Sequence, residues 1–474
     1  MITAKDHAKE HATNIVRTLR ERGYQAYFNG GCVRDLLLGR EPADYDVSTD
    51  ATPQQVMQIF PRTLAVGAQF GVVFVPDSTP AKPAPAEPTT TEVTEEHGGK
   101  TTAVEVATFR SDIGYSDGRH PDEVRFTKDP REDVQRRDFT INGMLLDPLI
   151  SKSAVGDSPA DGILDFVGGR EDLKAGIIRA IGEPSRRFAE DKLRMLRAVR
   201  FAARFDYRID PATFSAIQQL APQIHQVSQE RVRDELTKML TEGRARRAFL
   251  LLDESGLLRE ILPEISAMKG VEQPPQFHPE GDVFVHTLLL LEKLPAGSSK
   301  TLAWGALLHD VGKPPTFRVA PDRIRFDGHV DVGVKMAAEI CRRLRFSNDE
   351  TEQILALVQN HMRFGQVRQM NESTLKKFLR LPEFDEHLEL HRMDVLSSNG
   401  MLDAYDYARE RLNSFPPEAI RPQSLVTGDD LIAAGYPPGP RFKEILGAVE
   451  DAQLEGRVST HEAAMEMVRL EFPR

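Results

Sequence analysis

Asp44 and Asp46, in the run DYDVST, stand two residues apart and follow closely on Gly30-Gly31-Cys32-Val33-Arg34-Asp35. If DYDVST is a strand, its alternation puts both carboxylates on one face and Tyr45 on the other. Like charges side by side repel, so such a face calls for a compensating cation. Mg²⁺ takes one or two carboxylates plus substrate phosphate oxygens, and this pair predicts a Mg²⁺ site of that kind. Two such ions would clamp the attacking hydroxyl and the leaving pyrophosphate of an in-line displacement. Read alone, the pair is equally a solvated strand edge or turn. Beside Gly30, Gly31 and Arg34 the metal reading prevails. Glycine permits positive φ and close approach of backbone to phosphate. The helix expected to follow offers free N–H groups, with Arg34 in its first turn. Glu105, in VEVATF, points opposite to Val104 and Val106. It is a third carboxylate of the cluster if its strand neighbours DYDV, and an ordinary solvent-facing residue otherwise.

Arginines form a second concentration. RRDFTIN (136–142) sets Arg136, Arg137 and Asp138 before an apolar run, which by residue type alone also suits a charged turn. The segment SRRFAEDKLRMLRAVRFAARF reads as one long helix. At about 100° per residue, Asp191, Arg194, Arg197, Arg200 and Arg204 share one arc, opposite Met195, Leu196, Val199, Ala202 and Ala203. A salt-laced surface helix would mix signs. Arginines this dense favour recognition of an anion or a base.

The third set is His286, the doublet His309-Asp310, His329, His361 and Asp394, each in a helical-looking segment. One helical histidine is ordinarily structural. Four in this order, with a His-Asp doublet and a late aspartate, predict a divalent metal centre with positions open to water. His278, His387 and His391 receive no role.

Positioning these groups needs more than one core. At roughly 150 residues per domain, a chain of 474 residues suggests about three. Hydrophobic residues at 40% and charged residues at 28% give a globular profile. The net charge of −11 excludes a chain that is basic throughout but not a local basic patch. No apolar run approaches the ~18 residues that span a bilayer, and the N-terminus reads as a polar amphipathic helix rather than a signal peptide. Two cysteines cannot build a disulfide framework, so a cytoplasmic location is expected. Residues 1–150 alternate helical and strand patterns, an α+β module on a small mixed sheet. Residues 76–100, rich in Pro, Ala, Thr and Glu, read as a disordered insertion. A second soft spot is 150–162. A mostly helical neck (151–270), a His-rich region (271–400) opening on a Pro-rich break, and a helical tail (401–474) follow. No internal repeat is visible.

GGCVRD, DYDVST, RRDFTIN and EDKLRMLRAVRF, in this order and spacing across roughly 30–201, resemble the class II tRNA nucleotidyltransferase and poly(A) polymerase family. The resemblance implies a polymerase-beta-like nucleotidyltransferase head, with tRNA, ATP and CTP as partners, and CCA addition to tRNA ends without a nucleic-acid template. It gives Arg137 a nucleotide contact, with Asp138 and Asn142 ordering the loop. It makes Asp191 and Arg194 a protein template for the incoming base, with Arg197 and Arg200 holding phosphate or positioning that pair. Asp191 can accept from the exocyclic amine of C or A, and Arg194 can donate to the neighbouring ring acceptor. The polar stretch 110–135 corresponds to the loop that helps switch from C to A. The histidine set resembles the HD-domain metal phosphohydrolases. That implies His286, His309, Asp310 and Asp394 as core ligands, with His329 and His361 holding a second metal or a substrate phosphate. A poly(A) polymerase or an enzyme adding only CC or only A shares these motifs. Two further alternatives are a hydrolase acting at the HD-like set beside a ligand-sensing head, and a non-catalytic RNA-binding protein built on a scaffold HD domain.

Overall fold

The computed structural model describes residues 4–65, 71–77, 103–114, 122–150, 162–276, 278–279, 281–321 and 323–473. Apart from Pro76 and Asp77, the insertion read at 76–100 lies outside the described residues, as do 151–161 of the second soft spot. The chain divides into two compact units, Met1–Val227 with Ser255–Leu257, and Ser228–Glu254 with Leu258–Arg474.

In the first unit six strands form one mixed sheet, in the order Val72–Pro76, Ala103–Thr108, Asp46–Thr49, Ala26–Asn29, Met144–Leu146, Ile163–Asp165. Asp46–Thr49 and Ala103–Thr108 run parallel, with Val47 opposite Val106, and the other neighbours are antiparallel. The edge pairing of Leu145 with Leu164 carries this sheet past residue 150, where the sequence pattern alone had placed the end of the head. Strand alternation decides what each face holds. Phe28, Val47 and Val106 are buried, while their neighbours Asn29, Asp46 and Glu105 line a cavity. Helix Ala4–Glu21 packs on these strands. Its buried residues Ala12, Ile15, Val16 and Leu19 recur at the helical period.

Two sequence expectations change here. The arginine-rich segment is two helices, Pro184–Glu190 and Leu193–Phe205, with Asp191 extended between them (φ −149°, ψ 107°). The Asp191 carboxylate accepts the backbone N–H of Leu193 at 3.0 Å, the local bond by which a short acidic side chain competes with helix continuation. The polar stretch 110–135 carries an antiparallel hairpin, Arg110–Ile113 with Glu123–Phe126, and 115–121 lies outside the described residues.

The second unit is helical. Trp304, the single tryptophan of the chain, is fully buried and donates its indole N–H to Thr237 Oγ1 at 2.9 Å. Helix Lys300–Leu308 ends at His309, and the chain then passes so near helix His329–Arg343 that a Cβ on Gly312 would lie 2.1 Å from the His329 carbonyl. Only glycine allows that approach. The tail has its own core around Leu431, Ile445, Val449 and Val468.

Candidate functional site

In the first unit, every head and neck residue singled out from the sequence lines one cavity of about 630 Å³: Gly30, Gly31, Arg34, Asp44, Asp46, Glu105, Arg137, Asp191, Arg194, Arg197 and Arg200. Gly30 takes φ +67° and ψ −127° as the residue before helix Gly31–Leu37, and a Cβ there would meet the Arg137 guanidinium at 3.3 Å. Arg34 is buried rather than presented to solvent. Its Nη1 donates to Asn142 Oδ1 at 2.7 Å, its Nε to Asp35 Oδ1 at 2.9 Å, and its guanidinium lies over the Phe205 ring.

Asp46 opens its strand opposite Asn29, and one step back along the parallel pairing puts Glu105 beside it. Asp44 lies just before the strand, and Tyr45 between them turns into the core against Phe28. Burial, then the charges of Glu105 and Asp44, push the Asp46 carboxyl up to about 7 against the opposing Arg137. Burial also raises Glu105. The acidic trio is thus electrostatically stressed, as a cation site is before its ion arrives. Two of these carboxylates with substrate phosphate oxygens suit a Mg²⁺-like ion. Among the described residues, the trio does not close to the 4.8 Å ligand spacing seen in the second unit.

The arginines are held from behind. Arg137 reaches Asn29 Oδ1 at 2.8 Å, Ser48 Oγ at 3.1 Å and Asp133 Oδ2 at 2.9 Å. Asp133 is 1% exposed and also binds Arg136 at 2.8 Å. Its place three and four residues before the two arginines, on helix Pro130–Gln135, was a readable signal that the motif reading passed over. Arg197 pairs with Asp138 at 2.7 Å. Burial would raise that carboxyl, but the Arg197 charge and bonds from Asn142 and Arg197 hold it down at about 2. Arg194 is fixed by Glu190 at 2.7 Å and by the carbonyls of Arg187 and Arg136. Asp191 and Arg194 line the same cavity as the acidic trio.

The second unit gathers all six members of the histidine set. His286, His309 and Asp394 form one group, and Asp310, His329 and His361 another, with the ligand atoms of each group within 4.8 Å of one another. Asp310 falls in the second group but also touches the first. Its Oδ2 lies 3.2 Å from His309 Nε2, and its Oδ1 lies 3.7 Å from His361 and 3.9 Å from His329. His309, His329 and His361 each engage a backbone carbonyl through Nδ1, at 2.9, 3.0 and 2.7 Å. Their buried Nε2 atoms have no hydrogen-bond partner. An imidazole anchored through Nδ1–H offers its Nε2 lone pair to a metal, and burial lowers His361 to about 4, keeping it neutral. The donor set fits divalent metal, and Asp310 lies within reach of histidines of both groups. Burial also lowers His387 and His391 to about 4. Only His391 of these lines the neighbouring cavity.

Three stretches match known families: residues 26–179 the Poly A polymerase head domain, 206–269 the probable RNA and SrmB-binding site of polymerase A, and 282–397 the HD domain. The chain is 32% identical to a CCA-adding enzyme of Geobacillus sp. over 95% of its length and 94% of that protein. It is 30% identical to one of Levilactobacillus brevis, covering 96% of each. The crystal structure of a Bacillus stearothermophilus CCA-adding enzyme in complex with CTP superposes with a TM-score of 0.70 at 28% identity, covering 98% of both chains. Head and cavity together define a nucleotidyltransferase with an HD domain, a class that uses divalent metal. The chain belongs to the class II tRNA nucleotidyltransferase family, with the CCA-adding enzymes. No helix among the described residues is long and apolar enough to cross a membrane.

Proposed function

We propose that this chain adds C, C and A to the 3′ ends of tRNA from CTP and ATP, using amino acids in place of a template. The observation that carries this reading is the single cavity in which the acidic pair, the Gly30-Gly31 turn and the arginines of two motifs meet. The tRNA 3′-hydroxyl attacks the α-phosphate and pyrophosphate leaves. Asp44 and Asp46 would hold Mg²⁺, with Glu105 beside them. That ion, when bound, lowers the hydroxyl pKa and offsets the charge developing on phosphorus. Gly30, Gly31 and Arg34 border the triphosphate end, and Arg137 contacts the nucleotide. Asp191 accepts from the amine of C or A while Arg194 donates to the adjacent ring nitrogen, a pattern that G and U invert. Arg197 and Arg200 brace that pair. On this reading the head, whose sheet closes at Asp165, is followed by a neck to about residue 270, an HD-type region over 271–400 and a tail over 401–474 that grips RNA by shape and backbone. Two buried free thiols, Cys32 and Cys341, fit a reducing cytoplasm.

The test offers each labelled nucleotide singly to tRNA lacking its terminus. CTP alone should add two residues, ATP alone should add none to the unextended end, and both together should complete three. Many A residues from ATP alone would make the chain a poly(A) polymerase instead.

A second reading concerns the other unit. The buried, unpartnered Nε2 atoms of His309, His329 and His361 around Asp310 support a divalent metal centre of the phosphohydrolase type. Metal content of the purified chain, measured with and without His329→Asn, tests it. Loss of metal on that substitution is the expected result.

A further inference from the structure

Helix Leu193–Phe205 carries two aromatic residues among its arginines, Phe201 and Phe205, about one helical turn apart. Both are buried, and their rings stack with centroids 6.0 Å apart and planes within 16°. Phe201 borders the nucleotide cavity. Phe139, fully buried within RRDFTIN, meets Phe201 edge to face at 5.9 Å. A ring packed in this way has its plane fixed by its neighbours.

Three guanidinium groups converge on Phe201. Arg200 lies 4.5 Å from the ring centroid, Arg197 5.2 Å and Arg34 5.4 Å. All three line the cavity. Arg197 precedes Phe201 by four residues on the same helix, so its approach follows from helical spacing. Arg34 has no such reason to be there. It comes from helix Gly31–Leu37, is buried, and also lies over Phe205 at 4.7 Å. Asn142 Oδ1 accepts from Arg34 at 2.7 Å, and Asp138 pairs with Arg197 at 2.7 Å. Crowded cations repel one another. A carboxylate that gathers them cancels part of the charge a phosphate would meet. An aromatic face attracts them through its quadrupole and carries no charge of its own.

We propose that Phe201 is a positioning residue of the nucleotide site, whose ring face draws Arg34 of the triphosphate end together with Arg197 and Arg200 of the base side. One aromatic group thereby sets both halves of the site, acting through the arginines and on no reacting atom. The proposal rests on the reading of this cavity as the nucleotidyltransferase centre.

The test replaces Phe201 in the full chain with mono-, di- and trifluorinated phenylalanine. These keep a planar ring and stepwise remove the negative potential of its face. Steady-state kinetics are measured for CTP on tRNA lacking its terminus and for ATP on tRNA ending in CC, with inhibition by inorganic pyrophosphate on each form. KM for both nucleotides should climb with each fluorine, to about tenfold in the trifluoro form, with kcat within about twofold. Pyrophosphate inhibition should weaken in step, and Phe201→Leu, which has no π face, should match the trifluoro form. A KM that stays flat across the fluorine series overturns the proposal and makes Phe201 a packing residue, even if Phe201→Leu is impaired. A rise for CTP or ATP alone overturns it in favour of base selection. Unmoved pyrophosphate inhibition breaks the link to the triphosphate end and overturns it too. If the unsubstituted chain binds CTP calorimetrically without incorporating it, the reading of the cavity fails, and CTP affinity across the same series still decides the role of the ring. A chain that binds no nucleotide removes both.

Discussion

Asp133 restrains two arginines at once, at 2.8 and 2.9 Å, from a position that water does not reach. The surrounding arginine charges hold its carboxyl below the usual range despite its burial. Removing one partner of such a pair leaves charge behind in a poorly solvated place, at a cost of about 3 kcal/mol or more. Asp133→Asn should therefore lower stability and let Arg136 and Arg137 swing. The nucleotide KM should rise by about tenfold, 1.4 kcal/mol of lost positioning, while Asp133→Glu recovers part of it. A KM that does not move in steady-state kinetics would leave Asp133 a purely structural residue. Asp138 makes a prediction about acid. Its folded pKa of about 2 lies below the ~3.9 of an unfolded aspartate. The depressed value adds stability above pH 4 that is lost as pH falls towards 2, roughly 2–3 kcal/mol in all. Hydrogen exchange of the 139–144 amides should quicken between pH 4 and pH 2.5 beyond the intrinsic rate. In Asp138→Asn the protection should already be reduced at pH 6 and change little with acid.

Elements place these side chains more tightly than their spacing in the sequence suggests. Gly312 of the His-Asp doublet's loop is an example, because the chain there touches the first turn of the helix that begins with His329. Gly312→Ala would insert a methyl against backbone, overpacking worth about 1–3 kcal/mol. In a unit of this size that corresponds to a fall of several °C in the melting temperature, about 2–4 °C per kcal/mol. Fluorescence of Trp304, the chain's only tryptophan, would read it, and bound metal should drop as His329 is displaced. The sheet, the strand alternation and the burial of Tyr45 were legible because a period of two shows in four or five residues. The break at Asp191 was not, because Asp191 itself falls on the helical spacing of Arg194, Arg197 and Arg200 that follow it, and a single side-chain bond to Leu193 N–H decides the geometry. Arg34 was legible as a cavity residue, but its partner Asn142 lies 108 positions away, a distance no local pattern carries. The sharing of Asp310 between two groups was hidden for the same reason. Four helices and a loop supply those ligands, and only their packing fixes which oxygen meets which ring.

At the scale of the whole molecule, two sets of metal-type ligands occupy two compact units. Each unit fixes its own geometry through short-range bonds: Asp133, Asp138 and Glu190 in the first, and the three carbonyl-anchored imidazoles in the second. The bonds just named lie within each unit, so the chemistry of the two ligand sets should separate under mutation. His329→Asn with His361→Asn should empty the second group without leaving a buried charge, because both rings are held neutral by burial. By contrast, replacing Asp310 would strand Lys313, which pairs with it at 2.7 Å. The double variant should lose bound metal and keep incorporation of C and A within about twofold, well under the tenfold that 1.4 kcal/mol represents. Asp46→Asn should do the reverse. Loss of one carboxylate from a metal-assisted displacement removes several kcal/mol of transition-state stabilisation, on the order of a thousandfold in rate, with the metal content of the second unit untouched. Parallel metal analysis and single-turnover incorporation on the two variants decide the matter. A large fall in incorporation from the histidine pair would mean that the HD-type centre supports the transfer itself.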